Sequence, residues 1–311
     1  MQIELVQFYS RLGTIGIIMV LGFLLGKLKL ISHKTNKDLT NLLLTIFMPA
    51  SLFIAFPSDY DEASFNLFLS GLIAGAIVMI ALIILSKIIF NKGWMKKELA
   101  NESQFALIFN NATFLGYPIV TSTFGPNGVL AYCGFIIAFN IALFSYGIWL
   151  FERKVTPKLL RSVVLNPNII AVVLGMLVFI FGIRLPGFAT DAVSYVGSAT
   201  TPLSIICIGF MLSEAQLLQV LKKWRLMITA LIQLFIGPLV TWALLTILNF
   251  PMEVIQVCTL IQALPTATSL GLFAVKYGGN EAESSELVTI STIFSVFTMP
   301  LMVYLLLSVS L

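Results

Sequence analysis

Asn110-Asn111-Ala112-Thr113-Phe114-Leu115-Gly116-Tyr117-Pro118 stands inside a long uncharged stretch, where an apolar helix would be expected to run on undisturbed. About half the chain later, Gln262-Ala263-Leu264-Pro265-Thr266-Ala267-Thr268-Ser269-Leu270-Gly271 interrupts a second such stretch. Neither continues easily as a regular helix. Proline removes a backbone donor and clashes with the preceding turn, glycine supplies no side-chain restraint, and Asn, Thr and Ser offer the backbone competing hydrogen bonds. The two interruptions also share a phrase, since Ala112–Gly116 and Ala267–Gly271 agree at four of five positions.

The surroundings make these interruptions significant. Hydrophobic residues form 59% of the chain and charged residues 10%, with a mean hydropathy of +1.00, which excludes an ordinary soluble domain and makes the lipid bilayer the solvent. The uncharged runs are Leu12–Gly26, Leu39–Ser58, Ala63–Ser86, Ser103–Phe151, Ser162–Ile183, Ala192–Ser213, Leu226–Met252, Val254–Val275 and Leu287–Leu311. Most suit one span of roughly 20 residues. Ser103–Phe151 holds two spans hinged near Gly125-Pro126-Asn127-Gly128, and the short first run starts a turn earlier with Arg11 snorkelling outward, so ten transmembrane helices are expected.

Basic residues set the orientation, because cytoplasmic loops carry the positive excess. Alternate loops hold sixteen of the 18 Lys and Arg residues, and only Arg11 and Arg184 fall on the other side. Both termini are therefore placed outside, and the net charge of +4 reflects topology rather than nucleic-acid binding. The first span lacks a basic n-region and an A-x-A cleavage site and is expected to be retained. Cys133, Cys207 and Cys258 fall inside spans and read as small core residues, and no metal or cofactor is expected.

The repeated phrase belongs to a longer repetition. At an offset of 153, Val20-Leu21-Gly22 meets Val173-Leu174-Gly175, Pro49 and Ser51 meet Pro202 and Ser204, Leu107-Ile108 meets Leu260-Ile261, and Gly125 and Asn127 meet Gly278 and Asn280. This divides the chain into a first five-helix repeat at 1–151, a cytoplasmic linker at 152–165 and a second repeat at 166–311. Five is odd, so the second copy enters the membrane from the opposite side. Inverted repeats of this kind are built into secondary transporters, whose substrate site lies near the midplane where broken helices meet.

The breaks fall in helices 4 and 9. A broken helix exposes an N-terminus with free N–H groups, which suits a carboxylate, and a C-terminus with free carbonyls. Substrate-binding candidates are Asn110, Asn111 and Thr113 in helix 4, and Gln262, Thr266, Thr268 and Ser269 in helix 9; Gly116, Pro118, Pro265 and Gly271 shape the breaks. Asn110 and Asn111 point about 100° apart on a helix, so one faces the site while the other caps the break. Ser51, Asn140, Tyr146 and Ser204 are secondary candidates that serve packing equally well. Pro49, Pro202, Pro238 and Pro300 read as single kinks or packing points. No Asp, Glu, Lys, Arg or His lies within the uncharged runs, and His33 reads as a solvated loop residue. The missing intramembrane carboxylates weigh against proton pumping and favour a neutral cradle for an anion.

Asn111 followed by Gly116-Tyr117-Pro118, and Ala263-Leu264-Pro265 running on to Ala274-Val275-Lys276-Tyr277, resemble the auxin efflux carrier family over essentially the whole chain. That family includes the plant PIN carriers and bacterial permeases described as malate or malonate transporters. The resemblance implies a fold similar to sodium/proton antiporters and bile acid symporters. In it a scaffold of helices 1, 2, 6 and 7 would support a transport domain of helices 3–5 and 8–10, with broken helices 4 and 9 crossing at the substrate. It also implies a homodimer through the scaffold, with Asn111 contacting substrate and Pro265 setting the second break. Plant members have proline where this chain has Asn110, so auxin specificity does not transfer. The linker is also far too short for the long regulatory loop of many plant carriers.

The expectation is an all-α integral membrane protein of the bacterial inner (plasma) membrane, whose partners are the lipid bilayer and a small organic anion such as a carboxylate, exported by alternating access. A membrane-embedded ligand sensor without net transport and a sodium-coupled organic anion symporter are the alternatives. An enzyme is not expected, since no H-E-x-x-H, paired intramembrane aspartates or Ser/Lys or Ser/His pair lies in the spans.

Overall fold

The computed structural model describes residues 2–57, 59–90, 100–153, 161, 164–214 and 223–309. They form helices α1 (Gln2–Lys27), α2 (His33–Leu42), α3 (Met48–Phe53), α4 (Glu62–Ile89), α5 (Ala100–Ile108), α6 (Tyr117–Ala142), α7 (Ile148–Glu152), α8 (Pro167–Ile180), α9 (Gly187–Ser198), α10 (Thr200–Glu214), α11 (Trp224–Ile247), α12 (Met252–Gln262), α13 (Ser269–Tyr277) and α14 (Glu281–Val309). Three π-helical turns, Leu43–Phe47, Ala112–Gly116 and Leu143–Gly147, join α2 to α3, lead into α6 and join α6 to α7. Among the described residues no strand forms, and the single β-type pairing is an isolated bridge.

Five helical stretches are long and apolar enough to cross a bilayer: Glu62–Ile89, Ala112–Glu152, Gly187–Glu214, Trp224–Ile247 and Glu281–Met302. Gly13–Lys27, Pro167–Ile180 and Met252–Gln262 are shorter apolar helices. Their outer surfaces are as apolar as the interior; Ile17, Ile80, Ile84 and Phe297 are all more than half exposed, an arrangement that suits lipid rather than water. The side chain of Arg11 and the basic residues Lys92, Lys96, Lys97, Lys154, Lys158 and Lys222 lie outside the described residues.

The 41-residue stretch Ala112–Glu152 is not one rod. Gly125 takes φ 64° and ψ −155°, a backbone conformation that side chains rarely adopt, and Pro126 follows without a donor. The Tyr132 hydroxyl accordingly donates to Ala112 O at 3.0 Å, although the two residues would stand about 30 Å apart along a straight helix. The chain doubles back at the glycine, where the sequence placed its hinge.

The repetition is visible in the packing. The backbone of Ile206 in α10 approaches Gly22 of α1 so closely that a side chain at Gly22 has no room; the backbone of Phe53 in α3 does the same to Gly175 of α8. The partners Phe53 and Ile206 are themselves 153 residues apart, the offset that relates Gly22 to Gly175. Gly125 and Gly278, also related by it, both take positive φ, 64° and 85°. Ser51 ties the first of these regions to the second by donating to Gly197 O at 2.6 Å and sharing a 2.8 Å contact with the Thr200 hydroxyl. Ser204 spends its hydroxyl on Thr201 O in its own helix, a packing role.

His33 is exposed as expected but not free: its Nδ1 lies 2.9 Å from a Glu214 carboxylate oxygen, joining the start of α2 to the end of α10. Both groups face solvent, so the contact adds little stability.

Gly22→Val and Gly175→Val should each destabilise the purified protein by about 1–3 kcal/mol through overpacking. Gly13→Val, where nothing lies within 4 Å of the added carbon, should leave the thermal unfolding midpoint in detergent unchanged.

Candidate functional site

Helix α5 ends at Ile108, and the backbone then leaves the helix through Phe109 and Asn110. Asn111 adopts φ −78° and ψ 52°, close to an inverse γ-turn, and Ala112 N–H bonds back to Asn110 O at 2.8 Å. Asn111 then restarts the helix. Its Oδ1 accepts from Phe114 N–H at 3.3 Å, and its carbonyl accepts from Leu115 and Gly116 N–H, giving the wide π-helical turn. In the second break, α12 ends with Gln262, Pro265 cannot continue it, and α13 begins only at Ser269.

The two breaks hold each other. Asn111 N–H donates to Pro265 O at 2.7 Å and Ala267 N–H donates to Phe109 O at 3.0 Å, which sets Asn110 opposite Thr266 in an antiparallel bridge. Asn110 Nδ2 adds a 2.6 Å bond to Gln262 Oε1. Neighbouring helices satisfy three further groups of the unwound backbone: Tyr132 on Ala112 O, Gln233 on Leu264 O, and Ser291, whose hydroxyl accepts from Thr266 N–H at 3.1 Å. Phe105, Phe109, Phe139 and Phe273 pack ring on ring around the first break.

A cavity of about 240 Å³ opens beside the bridge. Asn110, Asn111, Thr113, Thr268, Ser269 and Asn140 line it, together with Thr45, Asn166, Asn168 and the apolar faces of Phe114, Phe139 and Phe144. No charged side chain is among its lining residues. All three π-helical turns of the described residues contribute to its wall, through Leu44 and Thr45, Thr113 and Phe114, and Leu143 and Phe144. Such turns are frequent at functional sites. A smaller cavity of about 60 Å³ lies on the far side of Asn111 and Thr268, which line both. Polar capacity around the bridge remains unspent: Asn110 Oδ1, Gln262 Nε2, Thr266 Oγ1 and Asn168 Oδ1 are buried without a hydrogen-bond partner.

Not every sequence candidate meets the cavity. Gln262 and Thr266 are fully buried behind the bridge and are not among its lining residues. Gly116 and Pro118 stand downstream of the unwound segment, at the junction of the π-helical turn and α6, and Gly271 lies inside α13. Tyr146 stacks on Trp149 beneath Lys87, away from both cavities. Sequence reasoning missed Thr45, Asn166, Asn168, Tyr132, Gln233 and Ser291. Asn166-Pro167-Asn168 carried a signal: an Asn cap with proline at the first helical position, whose Oδ1 accepts from Asn168 and Ile169 N–H.

Comparison with known proteins follows this geometry. A sequence profile of the family described as membrane transport proteins matches residues 8–155 and 151–303, two segments that meet in the linker. The chain belongs to this family. Within it lies the auxin efflux carrier resemblance, and the protein is a transporter-family integral membrane protein. A protein of Methanocaldococcus jannaschii described as an uncharacterized transporter is 22% identical over 94% of this chain and 96% of its own length. An uncharacterized transporter of Methanothermobacter thermautotrophicus is 21% identical over 92% of this chain and 94% of its own. In this membrane transport protein, the three free cysteines are buried, and among the described residues no cluster of three or more His, Cys, Asp or Glu could hold a metal.

Gln233→Leu should leave Leu264 O unpaired in the transporter's interior and cost about 1–3 kcal/mol. Thermal unfolding of the purified variant checks this, with Gln233→Glu as the test of whether an acceptor at that position is equally damaging.

Proposed function

We propose that this transporter carries small organic anions such as carboxylates by alternating access, binding them at the paired breaks. The observation that carries this reading is the cavity at the bridge, walled by Asn, Thr and Ser side chains with no charged group. A carboxylate accepts hydrogen bonds, and amides, hydroxyls and the N–H groups of a restarting helix supply them. Its volume of about 240 Å³ is below the roughly 300–1,000 Å³ of drug-sized pockets, which favours a small anion over a bulky one.

In this reading the chain has ten spans in an inverted five-plus-five repeat, with helices 4 and 9 crossing at the bridge. Close packing of α1 on α10 and of α3 on α8 and α9 supports a scaffold; α4–α7 with α11–α14 forms the transport domain. Both termini lie outside in the inner membrane of a bacterial-type cell, and the scaffold is the surface of a homodimer. The cavity reaches Asn166 at the end of the basic linker, which fits access from the cytoplasm. Export then follows the membrane potential: for a monoanion about 2.3 kcal/mol per 100 mV, roughly fifty-fold, without a coupled ion.

Reconstituted in proteoliposomes, the protein should move a small carboxylate in the direction of the imposed potential. Asn111→Ala and Pro265→Ala should each reduce that flux at least about tenfold, while Pro300→Ala stays near wild type. Binding without flux favours the sensor reading, a requirement for Na⁺ favours the symporter, and the absence of any carboxylate flux or binding overturns the proposal.

A further inference from the structure

Glu102 opens helix α5 just before the uncharged run Ser103–Phe151, and it is 1% exposed. Its Oε1 accepts from Asn280 N–H at 2.8 Å, at the start of α14. Capping a helix N-terminus explains that oxygen. It does not explain Oε2, which is buried without a partner. A second acid, Glu283 in the first turn of α14, compounds the problem. Glu283 donates its N–H to Asn280 Oδ1, so it is built onto the residue that Glu102 grips, and one of its own carboxylate oxygens, Oε2, is also buried and unpartnered. Beside it Ser284, fully buried, has a hydroxyl with no partner.

Among the described residues, the cations of the surrounding helices have contacts elsewhere. Lys223 pairs with Glu286, and Arg153 bonds Asn101 and covers Trp149. Lys87 lies over Tyr146 and Trp149, Arg225 over Trp224, and Lys276 over Tyr277. Glu281 is the other acid in the first turn of α14. Among the described residues no ion pair to Glu102 or Glu283 forms. A carboxylate buried in this way stays ionised only at a cost, whereas a proton on Oε2 converts an orphan acceptor into a donor.

We propose that Glu102 is a proton-binding site, holding its proton on the orphan Oε2 and so fastening α5 to α14 at the end of the bundle that carries the basic loops. Burial pushes the Glu102 carboxyl above the usual carboxylate range; the Asn280 N–H opposes this and the charge of Glu283 adds to it.

The sign follows. A proton held more tightly in the folded than in the unfolded chain stabilises the fold at low pH, and this contribution disappears as pH rises through the titration of Glu102. Melting of the purified protein in detergent from about pH 5 to about pH 9 should therefore show a midpoint falling by several degrees. Glu102→Gln should flatten that slope and melt above wild type at the alkaline end, and Glu283→Gln, which removes a like charge acting on Glu102, should make the slope shallower. Infrared difference spectra of the wild type should show a protonated-carboxyl band that bleaches over the same range and is absent from Glu102→Gln. A slope unchanged in both variants, or no such band, overturns the proposal and leaves Glu102 a helix cap. So does stabilisation of the wild type by Na⁺ at fixed pH that Glu102→Gln abolishes, which would make the site one for a metal cation.

Discussion

Two hydrogen bonds, Asn111 N–H to Pro265 O and Ala267 N–H to Phe109 O, carry the architecture of this protein. An unwound backbone at membrane depth has no water to turn to, and each unpaired N–H or C=O costs several kcal/mol. Neither break could stand alone on those terms. Set edge to edge, each provides the other with a donor and an acceptor, and Tyr132, Gln233 and Ser291 add three more partners. The breaks and the site are therefore one object. Any movement that separated them would expose the same groups, so a conformational change that keeps the bridge intact, carrying both breaks together, is the less costly one.

The antiparallel sense of the bridge has its own origin. In the proposed inverted repeat, two copies of one segment run in opposite directions where they meet, and the bridged residues Asn110 and Thr266 occupy nearly equivalent places in the repetition. The paired contacts Gly22–Ile206 and Gly175–Phe53 express the same relation elsewhere in the molecule. The copies nevertheless stop their helices by different means. Pro265 ends α12 by lacking a donor, whereas Asn110 and Asn111 end α5 by offering side-chain and γ-turn alternatives, and only that first break winds up again through a π-helical turn.

What could be read from the residues divides along physical lines. Lipid exposure, the hinge at Gly125, the offset of 153 and the pairing of two polar interruptions all leave marks in composition or spacing, and they were legible. The roles of Asn110 and Asn111 were legible only as alternatives: Asn111 caps, Asn110 bonds Gln262, and both line the cavity. Three things were hidden. The π-helical turns arise from tertiary fit rather than from any residue pattern. Gln233 and Ser291 look like ordinary polar residues of a packed helix until their carbonyl and amide partners are known. Glu102 sits one residue outside an uncharged run, so a search confined to the runs passes over a carboxylate that the fold buries.

The neutrality of the cavity wall has a consequence for turnover. A buried Arg or Lys would hold an anion tightly, but it would have to be desolvated again each time the site emptied. Amides avoid that cost, and an Asn or Gln can present either its oxygen or its N–H₂ edge without changing charge. Asn110 Oδ1, Gln262 Nε2 and Asn168 Oδ1 already stand with unspent capacity in or behind the wall. A polar group entering beside them relieves an existing deficit instead of competing with a satisfied network, and on leaving it restores no uncompensated charge. Under the proposed function, a site built this way would release its anion readily, and its selectivity would come from where the few donors stand rather than from how strongly they attract.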